Sequence, residues 1–412
     1  MPSVFFHTFG CKVNQYETES IRERLGRAGF SPTDRLADSD VCVVNSCSVT
    51  EEADRKCRKF LRKVLRENSG TRVLVTGCYA TRDPEKLRAL SERVEVVSNP
   101  DKDLIPGMVT GCSLSADAVP LLTVFSGHSR AFIKVQDGCD APCTYCVIPK
   151  LRGGLRSRPM AEILEEVGTF VREGTKEIVL TGIRLGSYGL ESSGGRVGKV
   201  RGNLTGLLER LAAVPGDFRI RLSSLEITEA TDELLDLARG SEKICPHFHL
   251  PLQSGDDAVL RRMGRWYDSR FFSERIARVR EVLPHAGLTT DVIVGFPGET
   301  EAQFENTFRF LEAHFNGMHV FPYSSRAGTP SARLPGHCDP RIIRRRVDSL
   351  LGLDKRLRAA FQSAHAGSVR MVLVENGGGF TDNGIRVAVP RSAGARPGDL
   401  ARIRIPPPEI FR

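Results

Sequence analysis

The sequence alternates strand-like and helix-like segments between residues 131 and 323, and this repetition restricts the possible folds more than any other feature. Six runs rich in β-branched, aromatic or aliphatic residues are separated by segments of helix-forming residues. Such alternation favours a parallel sheet covered by helices, and six steps predict an incomplete parallel barrel of the (β/α)6 type. The predicted strands are Ala131–Val135, Glu177–Leu180, Arg219–Leu222, Phe248–Leu252, Thr289–Val294 and His319–Tyr323.

Three cysteines lie in the loop that follows the first predicted barrel strand. Cys139, Cys143 and Cys146 are separated by three and then by two residues. Three thiolates in one short loop provide ligands for three irons of a cubane cluster, which leaves the fourth iron open. A zinc site is the alternative, but zinc sites usually add distant Cys or His ligands to a local pair. The chemistry of parallel barrels sits at the carboxyl ends of the strands, where this loop begins.

The first 112 residues show a separate alternation, which predicts a doubly wound parallel sheet. Cys11, Cys47 and Cys78 each follow a predicted strand of this sheet. Because carboxyl ends of parallel strands share one edge, we expect these thiols to converge on a second cluster. The alternative is that they are small buried apolar residues. The predicted strands are Val4–Phe9, Val41–Asn45, Val73–Thr76 and Val94–Val97, and the helices are Thr18–Ala28, Glu51–Arg66 and Pro84–Ser91.

The remaining segments complete the predicted domain organisation. Residues 113–129 are rich in small and turn-forming residues and predict a linker before a central domain at 130–338. Residues 339–366 predict a basic amphipathic connecting helix. Residues 367–412 predict a small all-β module, with strands at Val369–Glu375, Ile385–Val389 and Leu400–Ile405.

Composition limits the compartment and the partners. Lysine and arginine number 59 against 50 acidic residues, a net charge of +9 that is compatible with a polyanionic partner. Basic runs such as Arg261–Arg265 are typical of solvated helices. The chain has 11 cysteines, no export signal and no apolar stretch of membrane-spanning length. We therefore expect a cytoplasmic protein without a membrane partner.

The motifs together resemble the radical S-adenosylmethionine (SAM) methylthiotransferase family. The three-cysteine loop matches the radical SAM signature, and its flanking sequence resembles the methylthiotransferase version of it. The C-terminal module resembles a TRAM domain, a small RNA-binding β-barrel, but it is shorter and poor in the aromatic residues on which bases stack. The matching segments are Thr8–Glu19, Asn45–Thr50, Gly77–Cys78, Gly138–Pro159, His249–Gly255 and Asp291–Glu299.

The resemblance is strongest to the subgroup that acts on threonylcarbamoyladenosine in tRNA. Lys12–Asn14, Tyr16–Glu19, Ala53–Lys56 and Val320–Ser324 look like this subgroup. Two other subgroups act on isopentenyladenosine in tRNA or on an aspartate of a ribosomal protein, and both remain alternatives. A non-enzymatic iron–sulfur RNA-binding protein is a third.

The resemblance implies methylthiolation of carbon 2 of N6-threonylcarbamoyladenosine at position 37 of tRNA, with two SAM molecules and two [4Fe–4S] clusters. Cys139, Cys143 and Cys146 would hold the cluster that binds SAM. Cys11, Cys47 and Cys78 would hold the cluster that delivers sulfur. The implied partners are the anticodon region of tRNA, an electron donor such as flavodoxin or ferredoxin, and a sulfur donor. The protein is expected to act as a monomer.

The resemblance also implies contacts at the ends of the barrel strands. The alternatives are ordinary turns and surface carboxylates for the SAM positions, and a solvated basic loop for the arginines. Arginine side chains suit tRNA phosphates because their forked donors match phosphate oxygens. The SAM positions are Thr181, Gly182, Ser224, Glu226, Gln253, Ser254, Gly295 and Phe296, and the phosphate positions are Arg152, Arg156 and Arg158.

Overall fold

The computed structural model describes residues 1–111, 121–125, 127–190, 202–390 and 394–408, and the predicted linker at 113–129 lies partly outside this range. The N-terminal region forms a five-stranded, fully parallel sheet, as predicted. Its third strand is buried at every position, as expected for a β-branched run covered on both faces. In spatial order the strands are Ser31–Pro32, Ser3–Thr8, Val41–Ser46, Arg72–Gly77 and Val94–Val96, and the helices are Lys12–Arg27, Glu51–Glu67, Cys78–Arg82, Pro84–Arg88 and Ile105–Thr110.

The first helix begins six residues before its predicted start. It runs over Lys12–Arg27 with Cys11 at its N-cap, whereas the sequence predicted Thr18–Ala28. Its first turns bury polar side chains, among them Asn14 and Glu17, against the rest of the molecule. The sequence therefore shows no apolar stripe there, and periodicity could not find this start.

The central region is the predicted incomplete parallel barrel. Its first three strands form one sheet and its last three another, with strands in chain order. Bridges at Ile220–Ile244 and Ser224–His249 join the two sheets. Within the described ranges the first and sixth strands do not pair. The strands are Ala131–Lys134, Glu177–Thr181, Arg219–Leu222, His247–His249, Gly287–Val294 and Gly317–Pro322, and the helices are Ile148–Arg152, Met160–Arg172, Leu204–Ala212, Asp232–Gly240, Asp257–Arg262, Ser269–Val282 and Glu301–His314.

Helix Pro340–His365 connects the barrel to a four-stranded antiparallel sheet formed by Val369–Glu375, Gly378–Thr381, Arg386–Val387 and Leu400–Arg404. The second of these strands was not predicted, because its glycines resemble a turn. Gly379 lies so close to the neighbouring strand that a Cβ would be 2.5 Å from the Leu373 carbonyl oxygen. The module covers the amino end of the barrel, where Arg221 donates to the Thr381 and Asp382 carbonyls at 2.9 Å.

Among the described residues, no helix combines the length and the apolar character needed to cross a membrane.

Candidate active site

The three-cysteine loop is fixed between the first barrel strand and the segment after the fourth strand. The Cys139 amide donates to the Gly153 carbonyl at 3.0 Å, and the Thr144 amide donates to the Met263 carbonyl at 2.9 Å. The three thiols are free of disulfides. The Ala141 amide donates to Cys139 Sγ at 3.4 Å, and Arg265 Nη1 donates to Cys143 Sγ at 3.1 Å.

These contacts suit an iron–sulfur cluster. N–H donors directed at sulfur stabilise the thiolate form and tune cluster potentials. Burial raises the pKa of Cys146 to about 12 and also raises that of Cys139, so burial by itself favours neutral thiols. Bound iron supplies the positive charge that thiolates need in such surroundings. The donor set therefore fits a cluster held by three cysteines.

Arg265 is the functional residue that sequence reasoning missed most clearly. It belongs to a basic run that predicted a solvated helix, and this prediction is wrong for Arg265, which is only 8% exposed. Besides Cys143 it donates to Tyr267 at 3.0 Å and forms an ion pair with Glu226. Nothing in the spacing of the run distinguishes Arg265 from its neighbours, so the sequence carried no signal for this role.

Gly138 sets the path of the chain into the cysteine loop. Its φ is +75°, and a Cβ there would lie 1.9 Å from the Gly154 carbonyl oxygen. We expect Gly138→Ala to displace the loop and to reduce cluster loading at Cys139, Cys143 and Cys146 to about four irons per chain instead of eight. Iron analysis after anaerobic reconstitution measures this.

The matched control for that substitution is Gly154→Ala. A Cβ at Gly154 meets no atom within 4 Å and its φ is not in the left-handed region, so this variant should keep its iron. Equal iron contents in the two variants would show that the close contact of Gly138 with the Gly154 carbonyl does not position the cysteine loop.

The N-terminal cysteines occupy the carboxyl edge of their sheet, as predicted. A Cβ on Gly10 would lie 2.8 Å from Cys47 Sγ, which places the loop carrying Cys11 beside Cys47. Burial raises the pKa of Cys47 to about 11, and the nearby thiols of Cys78 and Cys11 act in the same direction. Among the other cysteines, Cys42, Cys57 and Cys245 are buried, Cys338 is partly exposed, and Cys112 lies outside the described residues.

A cavity of about 170 Å³ lies between the segments that carry the two sets of cysteines, and Cys146 lines it. Val49 and Thr50, which closely follow Cys47, line it together with Tyr145 and Cys146. Cys78 packs against Val147 and Leu151, just after the barrel loop. The cavity is therefore bounded by both cysteine-bearing regions. Its other lining residues include Gln253, Asp291, Ile293, Phe321, Tyr323 and Arg326.

Buried ion pairs hold the N-terminal sheet on the barrel. Asp54 accepts from Arg326 at 2.6 Å, and Glu17 accepts from Arg152 at 3.1 Å. Burial alone would raise the pKa of Glu17, but Arg152, Lys102 and Lys134 hold it well below its usual range. The charged network therefore fixes the two regions relative to each other.

This network corrects one of the predicted phosphate contacts. Arg152 is 2% exposed, and its guanidinium donates to Asn14 at 2.6 Å and to Asp137 at 2.9 Å. Arg158 donates to Glu166 at 2.6 Å, but its side chain is 19% exposed. The expected role in phosphate binding is therefore wrong for Arg152 and stays a prediction for Arg158. The side chain of Arg156 is 52% exposed, and its phosphate contact stays a prediction.

Three of the predicted SAM positions are packed in the interior. The Ser254 side chain is fully buried and hydrogen-bonds with Thr307 at 3.1 Å. Phe296 is buried against Tyr323. Gly295, with φ +76°, is required by packing, since a Cβ would lie 2.4 Å from Ile343 Cγ1 of the connecting helix. None of the three lines the cavity, and their contacts with SAM stay predictions.

The remaining SAM positions lie nearer to open space. Gln253 lines the cavity and has a φ of +72°, a strained conformation for a residue with a side chain. Ser224 is exposed, whereas Thr181 is buried at the end of the second barrel strand. Gly182 lies against the Gln136 side chain, and Glu226 is paired with Arg265. Their contacts with SAM stay predictions.

Comparison with known proteins agrees with this arrangement. Residues 3–99 match the uncharacterized protein family UPF0004, and residues 133–311 match the radical SAM superfamily. A solved radical SAM methyltransferase, TsrM from Kitasatospora setae, has a TM-score of 0.58 at 14% identity over 81% of this chain and 77% of its own, which shows a shared fold.

Curated relatives extend the match over nearly the whole chain. The threonylcarbamoyladenosine tRNA methylthiotransferase MtaB of Bacillus subtilis is 38% identical over 94% of this chain and 90% of its own length. That of Thermotoga maritima is 35% identical over 91% and 87%. A tRNA-2-methylthio-N(6)-dimethylallyladenosine synthase of a Parafrankia species is 34% identical over 97% and 83%. The chain therefore belongs to the methylthiotransferase family of radical SAM enzymes, which use SAM and iron–sulfur chemistry.

Proposed function

We propose that this enzyme methylthiolates carbon 2 of N6-threonylcarbamoyladenosine at position 37 of tRNA. The observation that supports the proposal is a cavity lined by Cys146 and by Val49 and Thr50, which closely follow Cys47, with Cys78 packed against Val147 of its wall. Relatives named for this reaction match over about nine-tenths of the chain. An aromatic C–H carries no acidic proton for a side-chain base to remove, so the reaction calls for radical chemistry and a separate source of sulfur.

The cysteines have separate tasks in this proposal. Cys139, Cys143 and Cys146 would hold one [4Fe–4S] cluster, and Cys11, Cys47 and Cys78 would hold the other. When bound, the clusters supply the electron that cleaves SAM to methionine and a 5′-deoxyadenosyl radical, and the sulfur that a second SAM methylates. The protein would contribute three thiolate ligands to each cluster, one fewer than the four irons of a [4Fe–4S] cluster.

The cavity residues position the reactants and exclude water. Phe321, Ile293 and Tyr145 provide apolar walls, which protect a radical from solvent. Gln253 offers an amide at the end of the fourth strand, and Arg265 holds Glu226 beside the barrel cysteines. Restricting the reactants in this way supplies part of the rate enhancement.

The remaining partners follow from the chemistry. We propose that Arg156 contacts phosphates of the anticodon region, because its side chain is more exposed than those of Arg152 and Arg158. The reaction needs an electron donor, such as flavodoxin or ferredoxin, and a sulfur donor to renew the second cluster. We propose that the enzyme acts as a monomer in the cytoplasm.

Arg265 is expected to tune the barrel cluster. In Arg265→Met the Cys143 sulfur loses both a hydrogen bond and a neighbouring positive charge. Loss of such a donor and charge makes cluster reduction harder, so SAM cleavage should fall at least about tenfold while iron content is retained. A redox titration followed by electron paramagnetic resonance, together with an assay for 5′-deoxyadenosine, tests this. A normal potential with normal cleavage would show that Arg265 is only structural.

The proposed function is tested by nucleoside mass spectrometry of tRNA from cells that lack the gene. The methylthiolated threonylcarbamoyladenosine should disappear, and its unmethylthiolated precursor should accumulate. Loss of the isopentenyladenosine product instead would assign the enzyme to the reaction named for the Parafrankia relative. Reconstituted protein that makes no 5′-deoxyadenosine from SAM and reductant would contradict both reactions.

A further inference from the structure

A second cavity lies in the lumen of the barrel, next to the cavity between the cysteines. Its volume is about 360 Å³, and Asp291 lines both spaces. The two cavities therefore adjoin at Asp291, past which a group attached to a base held near Cys146 would extend into the lumen. The lumen is lined by residues of several barrel strands, including Ser223, His247, His249 and His319, and by Lys12 from the first helix of the N-terminal region.

The lumen is strongly cationic. Four basic side chains line it, Lys12, Arg130, Arg221 and Arg358, against the single carboxylate of Asp291. Arg130 and Arg221 both form ion pairs with Glu177, and Arg358 forms an ion pair with Asp354. Among the described residues Lys12 makes no hydrogen bond and no ion pair. One charge of the lining is therefore available to a ligand.

The lumen also holds polar atoms without partners. Ser223 is 7% exposed, and its Oγ has no hydrogen-bond partner within the described part of the chain. The same is true of Nδ1 of His247. A buried polar atom without a partner costs free energy unless a ligand or water satisfies it. Both residues line the lumen, so a polar ligand would satisfy them.

A metal ion is the competing occupant. His249, Asp291 and His319 bring ligand atoms within 4.8 Å of one another, a donor set that a divalent cation accepts. His249 Nε2 lies 3.1 Å from Asp291 Oδ1, however, so one carboxylate oxygen already has a partner and the other is left for a ligand. The surrounding basic side chains repel a divalent cation and attract an anion. The charge of the lumen favours an anionic ligand.

We propose that the lumen binds the threonylcarbamoyl arm of the target base through its carboxylate, with Lys12 as the principal cation. This inference rests on the proposed function and assigns its substrate specificity to particular residues. Asp291 would accept a hydrogen bond from the hydroxyl or an N–H of the arm. An isopentenyl group has neither the charge nor the donors, and it would leave these polar groups unsatisfied.

The test compares two anticodon stem-loop RNAs that differ only in the arm. One carries N6-threonylcarbamoyladenosine at position 37 and the other carries its methyl ester, which lacks the negative charge. The reconstituted enzyme should methylthiolate the acid with at least a tenfold higher kcat/KM than the ester. Lys12→Met should lower kcat/KM for the acid at least tenfold and bring the two substrates within about threefold of each other.

Controls separate this effect from damage to the neighbouring cluster. Lys355→Met removes an exposed charge on the connecting helix and should keep the preference for the acid. Because Lys12 adjoins Cys11, its variant is used only if iron content and 5′-deoxyadenosine formation match those of the unsubstituted enzyme. His319→Leu, which is remote in sequence from the cysteines, provides a second variant that should reduce the preference at least threefold.

Three results would overturn the inference. Equal kcat/KM values for acid and ester in the unsubstituted enzyme would show that the enzyme does not recognise the negative charge of the arm. The proposed function would still stand. A preference that survives in both Lys12→Met and His319→Leu would place recognition elsewhere. Stoichiometric zinc bound by the reconstituted enzyme and lost in His319→Leu would assign the lumen to a metal. Failure to methylthiolate either stem-loop would contradict the proposed function itself.

Discussion

Replacing Cys146 with alanine is expected to abolish the formation of 5′-deoxyadenosine. Cys146 lines the cavity between the two cysteine triads, and two remaining thiolates at 139 and 143 are too few to hold a cluster with one open iron. Iron after anaerobic reconstitution should fall from about eight to about four per chain, since the other triad is intact. Iron analysis and chromatographic detection of 5′-deoxyadenosine measure the two effects.

Two further variants make this result specific. Cys338→Ser alters a partly exposed cysteine far from either triad in the sequence and should leave both measurements unchanged. Cys78→Ala should also lose about four irons but should still cleave SAM, because it affects only the sulfur-delivering cluster. Retained SAM cleavage in Cys146→Ala, or its loss in Cys78→Ala alone, would contradict the assignment of the triads.

Replacing Arg152 with methionine is expected to destabilise the protein by about 3–5 kcal/mol, because the change leaves the buried carboxylates of Glu17 and Asp137 with fewer partners. Despite burial, which acts in the opposite direction, Lys134 and Arg152 hold the pKa of Asp137 at about 2. A carboxyl whose folded pKa is lowered contributes stability above its unfolded value near 3.8, and this contribution is lost as pH falls towards 2. The deficit of the variant should therefore shrink below about pH 4.

The exposed neighbour of Arg152 is the matched control. Arg156 lies 3.7 Å from Asp137 with its side chain half exposed, so Arg156→Met should change stability by less than about 0.5 kcal/mol. It should instead weaken tRNA binding and reduce its dependence on salt, as the loss of one phosphate contact does. Urea unfolding at pH 7 and binding at several salt concentrations test the pair. Similar stability losses in the two variants would show that burial of Arg152 does not set its contribution to stability apart from that of Arg156.

The strand order of the barrel and the position of its cysteine loop were predictable, because a parallel strand has a local signature and the loop follows a strand directly. The convergence of Cys11, Cys47 and Cys78 on one edge was predictable for the same reason. The start of the first helix was not, since its buried polar side chains find their partners in the barrel. Periodicity identifies faces that are buried by apolar contact and misses faces that are buried by paired charges.

The cysteines of the candidate site could be predicted from the sequence, but the roles of the residues around them could not. Arg152 and Arg265 both belong to basic runs, and each is buried beside an acidic partner distant in sequence. Gly295 resembled a ligand position, but its close contact is with Ile343. In each case the deciding neighbour comes from another domain or another loop. Local sequence describes which groups are present, but not which partner neutralises or covers them.

The first helix has a consequence for exchanging parts between relatives. Within six residues it follows the proposed cluster ligand Cys11, reaches the barrel lumen with Lys12, and contributes Asn14 and Glu17 to the buried charge network. The docking contacts and the residues proposed for cluster binding and substrate preference thus lie within about two helical turns. A chimaera that joins this N-terminal region to a foreign barrel would need the barrel's matching Arg152 and Asp137, or it would fail to assemble before its specificity could be measured.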